Sequence, residues 1–282
     1  MSPLLTAELH AALQAAWTAG RAELGVSLDL GRTQVQVALG KDGWTFRERL
    51  YPWAASLRER TLYYWDGTDY ARVERRAGSL IKLVPTSWGA PTFEIDGIKM
   101  LPTARISPFE DARAKVELVR VRGKAVLDTC GGLGYFAACC LREGATRILS
   151  CEKNPDVIWL RSHNPWSPQL EPPDAAPASD ASGRLTLVNA DIVSYIETLG
   201  AASVDVVLHD PPRFGIAGEL YSLAFYEQLA RVLRRGGRLF HYTGTPNKLT
   251  TGRNLPVEVS RRLIQAGFSA KPALDGVLAT RI

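Results

Sequence analysis

Cysteine is scarce and confined. The chain of 282 residues has four, Cys130, Cys139, Cys140 and Cys151. None forms a C-x-x-C pair and two are adjacent, which argues against a zinc cage. They read as small buried hydrophobes in a reducing compartment. Long apolar runs are absent too: none approaches the roughly 20 residues of a membrane span. Met1-Ser2-Pro3 lacks the basic n-region of a secretory signal. The expectation is a cytoplasmic protein with no membrane and no metal. A strong excess of one charge is also missing, with 34 basic against 29 acidic residues and a net charge of +5. Such a mild balance permits a nucleic-acid partner without demanding one.

What is present is a real core, at 46% hydrophobic residues, and a change of texture along the chain. Thr6 to Ala19 reads as a helix capped by Thr6, with Leu9, Leu13 and Trp17 at helical spacing. From Gly25 to Pro102, short alternating runs are separated by turns such as Gly40-Lys41-Asp42-Gly43, Asp66-Gly67 and Asp96-Gly97. That pattern predicts a small antiparallel β-domain. Within it, Leu28-Asp29-Leu30-Gly31-Arg32-Thr33 resembles the phosphate hairpin of sugar-kinase and actin-like ATPases. The further phosphate motifs of that fold are lacking, so a plain hairpin is expected.

Ser107-Pro108-Phe109-Glu110-Asp111 is a helix start, with a serine cap, proline at the first helical position and acids in the first turn. From there strands and helices alternate. Strands are expected at Ala125–Leu127, Arg147–Cys151, Arg184–Val188, Val204–Leu208 and Arg238–Tyr242. Helices are expected at Tyr135–Glu143, Pro155–Arg161, Ile192–Leu199, Leu220–Leu233 and Val257–Gln265, and Gly267–Ala270 and Val277–Ile282 close the chain as strands. Ser167 to Ser182, rich in Pro, Ala and Ser, reads as a surface insertion. Alternation of this kind means an α/β, doubly wound, mostly parallel sheet. The boundaries are a helix plus small β-domain over 1–106 and the α/β domain over 107–282.

Chemistry concentrates at strand ends. Asp128-Thr129-Cys130-Gly131-Gly132-Leu133-Gly134 joins the first strand to a helix, a turn of the kind that cradles a nucleoside. Glu152 ends the second strand, with Lys153 beside it. An acid about 20 residues past the turn is placed to bind ribose hydroxyls. Asp191 follows the third strand, where it can cap the next helix. The fourth strand delivers His209-Asp210-Pro211-Pro212-Arg213-Phe214. The prolines lock the backbone there, remove two donors and leave carbonyl acceptors.

In this order, these stations resemble class I S-adenosylmethionine (SAM)-dependent methyltransferases over roughly Ser107 to Ile282. Motif I of that family is D-x-G-x-G-x-G, and Cys130 stands at its first glycine. The resemblance extends to an archaeal-type predicted methyltransferase family through D-T-C-x-G-L-G-Y, E-K-x-P, N-P-W-S, H-D-P-P-R-F, A-G-E-L-Y-S and G-G-R-L-F-H-Y-T-G. It implies a Rossmann-like seven-stranded methyltransferase sheet preceded by the small mainly antiparallel β N-terminal domain. It implies SAM as cofactor, held by Asp128, Cys130, Gly132, Gly134, Glu152, Lys153, Asp191 and Asp210, with Asp191 reaching the adenine amino group. In this family the helix before the first strand often closes over the cofactor; a connecting helix with a solvated charged face is the alternative.

The Asp210-Pro211-Pro212 corner is similar to the [D/N/S]-P-P-x motif of methyltransferases acting on nitrogen in planar groups. With Arg213 fourth and Phe214 displaced, it looks like the D-P-P-[KRT]-F variants of RNA methyltransferases. The resemblance implies Asp210 and His209 as catalytic residues, and Pro211, Pro212, Arg213, Phe214 and Tyr242 as acceptor-binding, with Trp166 a further stacker. No cysteine follows Cys151, which argues against covalent attack on a pyrimidine carbon. The acceptor expected is a planar nitrogen such as that of an RNA base, in tRNA or rRNA. Trp44, Trp53, Trp65 and Trp88 with Arg72, Arg75 and Arg76 are candidate RNA contacts, core packing being the alternative. Three rivals stand: aminopropyl transfer of the spermidine-synthase type, a methyltransferase acting on a protein or small molecule, and a binding-only module.

Overall fold

A computed structural model describes residues 2–244 and 254–282. Thr6 caps the first helix, α1 (Ala7–Thr18), its Oγ1 accepting the Leu9 N–H at 3.2 Å. His10, Leu13 and Ala16 form the buried face, while Trp17 is 38% exposed. The strands that follow are too short for one large sheet. Leu4–Leu5 (β1), Tyr63–Trp65 (β6) and Tyr70–Arg72 (β7) form one antiparallel sheet in the order β1-β6-β7. Glu23–Val26 (β2), Val35–Gly40 (β3), Gly43–Phe46 (β4) and Arg49–Pro52 (β5) form a meander. Glu74–Ala77 (β8), Ser79–Val84 (β9), Thr92–Ile95 (β10) and Ile98–Lys99 (β11) form a third, and Asp96 and Gly97, both at positive φ, make the tight turn between β10 and β11. Positive φ at both central residues matches the twist of a two-residue hairpin.

The segment 28–33 is a closed turn. Asp29 accepts from Ser27 Oγ at 2.8 Å and from the Thr33 amide and hydroxyl at 2.9 and 2.6 Å. Trp44 is 1% exposed and stacks on Tyr51 with centroids 4.3 Å apart, and Trp53 and Trp65 pack on the same core. Three of the four tryptophans offered as RNA contacts are therefore core residues, and Trp88 alone is exposed. The chain divides into two units, Met1–Phe109 with His163–Trp166, and Glu110–Ser162 with Ser167–Ile282. Trp166 belongs to the first, where its Nε1–H donates to the Leu30 carbonyl at 3.1 Å.

The second unit begins in α2 (Pro108–Val119), where the Phe109 N–H donates to Ser107 Oγ. It continues β12 (Ala125–Asp128), α3 (Tyr135–Arg142), β13 (Arg147–Glu152), α4 (Pro155–His163), β14 (Ala178–Ser179), β15 (Leu185–Asn189), α5 (Ile192–Thr198), β16 (Val204–His209), α6 (Leu223–Val232), β17 (Leu233–Tyr242), α7 (Leu255–Gln265), β18 (Phe268–Ala273) and β19 (Gly276–Arg281). The sheet runs β14-β15-β13-β12-β16-β17-β19-β18. β15, β13, β12, β16 and β17 are parallel, and the other three are antiparallel to their neighbours. This is the expected doubly wound α/β sheet. Chain travel reverses between β12 and β16, the switch point at whose carboxyl side ligands bind.

Three details differ from the sequence pattern, each for a local reason. The sheet has eight strands, because Ala178–Ser179 inside the insertion pairs antiparallel with Leu187 and Thr186. The expected helix from Leu220 is split, because Ser222 accepts the Phe225 N–H and caps a fresh start after the 3-10 turn Gly218–Tyr221. Gly236-Gly237 sits inside β17 rather than ending a helix. The register there jumps from Val204↔Leu233 to Val206↔Arg238, and a Cβ on Gly237 would lie 2.7 Å from the Arg234 carbonyl. The glycine pair makes an irregularity within a strand, as glycine does where backbones crowd.

Candidate functional site

Acids gather at the carboxyl edge because adjacent parallel strands each end in or next to one. In spatial order these are Asp191 after β15, Glu152 on β13, Asp128 on β12 and Asp210 after β16. Asp128 is 1% exposed, and its Oδ2 accepts from Ser150 Oγ at 2.8 Å while Oδ1 has no partner. Burial pushes its pKa up to about 7, against the pull of the Ser150 hydrogen bond and the Arg161 charge. Arg161, on α4, is itself 2% exposed. Its Nη1 donates to Ser150 Oγ at 3.3 Å and its Nε and Nη2 have no hydrogen-bond partner. Burial brings this guanidinium down to about 10, Asp128 and Glu152 opposing.

The glycine turn is folded over that guanidinium. A Cβ on Gly134 would lie 2.5 Å from Arg161 Cζ, and one on Gly131 2.4 Å from Ser150 Oγ. Two of the glycines thus make room for the protein's own side chains. Gly132 and Gly134 are left-handed, with φ of 48° and 78°. The Gly132 N–H donates to Glu152 Oε2 at 2.9 Å and the Asn154 N–H to Oε1 at 2.8 Å. Burial raises Glu152 while those two amides lower it. Cys130, half-buried, packs against the core, and burial raises its thiol. Asp191 caps α5 by accepting the Val193 N–H at 2.9 Å, and Lys153 Nζ stands 3.9 Å from it, both about half exposed. An exposed pair of that kind contributes little.

At the double-proline corner, Asp210 is raised to about 6 by burial, with Lys115 lowering it. No hydrogen bond reaches its carboxylate among the described residues. Pro211 is buried and the Pro212 carbonyl accepts the Tyr221 hydroxyl at 3.0 Å. One carbonyl expected to face an acceptor is therefore occupied from within. Arg213 is exposed, and its carbonyl takes the Ile216 N–H at 2.7 Å. Phe214 is half-buried, edge-on to Tyr221 at 5.4 Å. Tyr242 is half-buried and carries Lys115 Nζ over its ring at 4.4 Å.

His209 is wholly buried. Nδ1 meets Thr129 Oγ1 at 2.7 Å and Nε2 meets the Leu220 carbonyl at 3.1 Å, so Nε2 carries the proton and the threonine hydroxyl donates to Nδ1. His241 is held likewise, Nδ1–H on the Tyr242 carbonyl at 2.7 Å and Nε2 accepting from Tyr226 at 2.7 Å. Burial drops His209 to about 4 and puts His241 well below its ordinary value. Both are neutral packing elements under the corner. The sign follows: unfolded histidine takes up its proton near pH 6.5, folded His209 only near 4, so stability is lost as pH falls between them. A drop of about 3 kcal/mol is expected for His209 alone. Asp128 and Asp210, raised on folding, act oppositely. The readout is therefore the difference in urea stability between wild type and His209→Gln at pH 7.5 and 4.5, which should shrink by that amount at the lower pH.

Lys115 and Arg161 are residues that the motifs do not announce; Tyr221 lies in the A-G-E-L-Y-S segment, which gives it no role. The only signal for Arg161 is a lone cation ending the apolar run Val157-Ile158-Trp159-Leu160. For Lys115 it is the Asp111 one turn earlier. Among the described residues no group of three or more His, Cys, Asp or Glu is placed to hold a metal ion, and no helix is long and apolar enough to cross a membrane.

No family model matches the chain. It is 44% identical over 188 residues to an uncharacterised protein of Methanocaldococcus jannaschii, covering 66% of this chain. It spans 61% of that relative's length. Among solved structures it is similar to a spermidine synthase in complex with the transition-state analogue AdoDATO, with a TM-score of 0.56 at 16% identity over 79% of this chain and 80% of that one. The spermidine synthase of Thermotoga maritima gives 0.52 at 16%, covering 79% and 78%. MnmC2 of Aquifex aeolicus gives 0.51 at 17%, covering 73% and 71%. At such identities the likeness is one of fold.

Proposed function

We propose that this chain is a SAM-dependent methyltransferase acting on a nitrogen acceptor, a planar one such as an RNA base. One observation carries the reading. Four neighbouring parallel strands bring acids to one edge at the switch point, around a left-handed glycine turn, and the last acid opens onto two prolines. The residues fit the cofactor. Glu152 uses each oxygen for a single backbone amide, so lone pairs remain for ribose hydroxyls. Asp191 is exposed with room to accept from an adenine amino group while capping α5. An acid-lined edge complements a cationic sulfonium. When bound, SAM supplies an already activated methyl group, so positioning by the protein carries most of the rate.

Asp210 receives the acceptor. Its carboxylate is ionised at pH 7 and takes no hydrogen bond from the described residues, so it can take an acceptor N–H and, as the new bond forms, the proton. Tyr221 fixes the corner through Pro212. His209, with both nitrogens engaged, holds the strand end and leaves proton acceptance to Asp210.

Titration calorimetry with SAM, then labelled-methyl incorporation into RNA, protein and metabolite fractions, tests this reading. Label in RNA is the expected outcome; absence of SAM binding sinks it. Glu152→Ala is expected to weaken SAM about 100-fold, two charged hydrogen bonds being lost. Unchanged affinity would remove Glu152 from the ribose site. Aminopropyl transfer is the second reading, supported by the fold likeness to spermidine synthases over 79% of the chain. Tighter binding of decarboxylated SAM than of SAM would favour it.

A further inference from the structure

α2 has a solvated charged face, with Arg113 and Glu117 exposed and Glu110 partly so, but Lys115 is not on it. Lys115 is 1% exposed, and its Nζ is bound by Asp111 Oδ2 on its own helix at 2.7 Å and by Asp275 Oδ2, in the β18–β19 turn, at 3.4 Å. The Tyr242 ring at the end of β17 lies 4.4 Å beneath it and the Phe240 ring 5.8 Å away. One ammonium thus ties together a helix, a hairpin turn and a strand end that are far apart in sequence. β16 and β17 pair His209 with His241, so Asp210, the next residue, stands beside Tyr242, whose ring carries Lys115, and its charge interacts with Lys115, Asp111 and Asp275. A buried ammonium is costly unless fully partnered. Two carboxylates with hydrogen-bond or ion-pair contact would neutralise Lys115 already, and Asp210 completes an anionic surplus around it.

Resting on the methyl-transfer reading, we propose that Lys115 is a positioning residue: its buried charge, clamped by Asp111 and Asp275, keeps Asp210 a carboxylate whose open face points at the acceptor N–H. Lys115, only 1% exposed, does not touch the acceptor. It acts through Asp210 and through the Tyr242 ring it holds flat. The other titratable neighbours of Asp210 work against ionisation. Burial and the charges of Asp111 and Asp275 raise it. Asp128, Cys130, Tyr221 and Tyr242 share its field, each with a raised pKa of its own. Lys115 is the one cation among these groups.

The test separates charge from packing and from catalysis. In protein carrying carboxyl-labelled aspartate, the Asp210 signal, assigned by its loss in Asp210→Asn, is titrated by NMR in the full chain. The wild-type midpoint is expected near 6. In Lys115→Met it should rise by about 1–3 units, the ordinary effect of removing an adjacent opposite charge. Lys115→Arg, which keeps the charge, should restore the low midpoint. The acid limb of kcat/KM should move with it, and a shift of about 2 units should cut the rate at pH 7 about tenfold. An Asp210 midpoint identical in wild type and in a folded Lys115→Met overturns the assignment, even in a protein that transfers methyl groups. A midpoint that moves in a chain inert towards every acceptor overturns methyl transfer and leaves the Lys115–Asp210 coupling standing.

Discussion

Gly134→Ala is expected to cost about 4–7 kcal/mol of folding stability, a third or more of what a domain of ordinary stability has. Two terms add. Gly134 sits at φ 78°, where an L residue is strained by about 1–2 kcal/mol. The new methyl group would also lie 2.5 Å from Arg161 Cζ. An exposed arginine would swing away. Arg161 is 2% exposed, so displacement breaks its hydrogen bond to Ser150 and shifts a buried charge that acts on Asp128. Leaving a buried charge uncompensated costs about 3–5 kcal/mol. Urea unfolding gives the total, and a drop in Tm of about 10–20 °C should accompany it. The cause is isolated by repeating the substitution in an Arg161→Met background, where only the backbone strain of about 1–2 kcal/mol should remain. Equal costs in both backgrounds would show that the guanidinium is not what the glycine accommodates.

Why that contact is invisible in the sequence is instructive. The strand–turn–helix order, the acid at Glu152 and the acid-Pro-Pro corner all follow from spacing within one βα unit, and such local spacing is written directly in the residues. The glycines of the turn invite the reading that they clear space for a ligand. For Gly131 and Gly134 the atoms they clear belong to Ser150 and Arg161, one on the next strand and one on the helix after it. Lys115 has the same history. At i,i+4 from Asp111 it looks like a surface ion pair. Only the hairpin turn at Asp275, 160 residues on (275 − 115), turns it into a buried charge. His209 reads as chemistry because it precedes the acid-Pro-Pro corner; in the structure both it and His241 have every ring nitrogen occupied.

Asp210→Asn is the second large effect. The amide keeps the shape of the side chain but cannot take a proton, so kcat should fall about 10²–10⁴-fold. Affinity for SAM should change little, because the glycine turn, Glu152 and Asp191 are untouched. A mere rise in KM at constant kcat would make Asp210 a binding group instead. Fold stability is expected to hold or rise slightly, since the wild-type carboxylate is buried and raised to about 6. A charge that burial disfavours, with no backbone amide on it among the described residues, accords with the role proposed for Asp210.

The two rims of the eight-stranded sheet have a consequence for how copies of this protein can meet. At one rim the two-residue β14 lies across the outside of β15, at Leu187 and Thr186. At the other, β18 presents Lys271 and Pro272, a charge and a residue with no amide hydrogen. Neither border offers an unbroken ladder for a foreign strand to extend. Self-association by sheet continuation is thereby disfavoured at both ends.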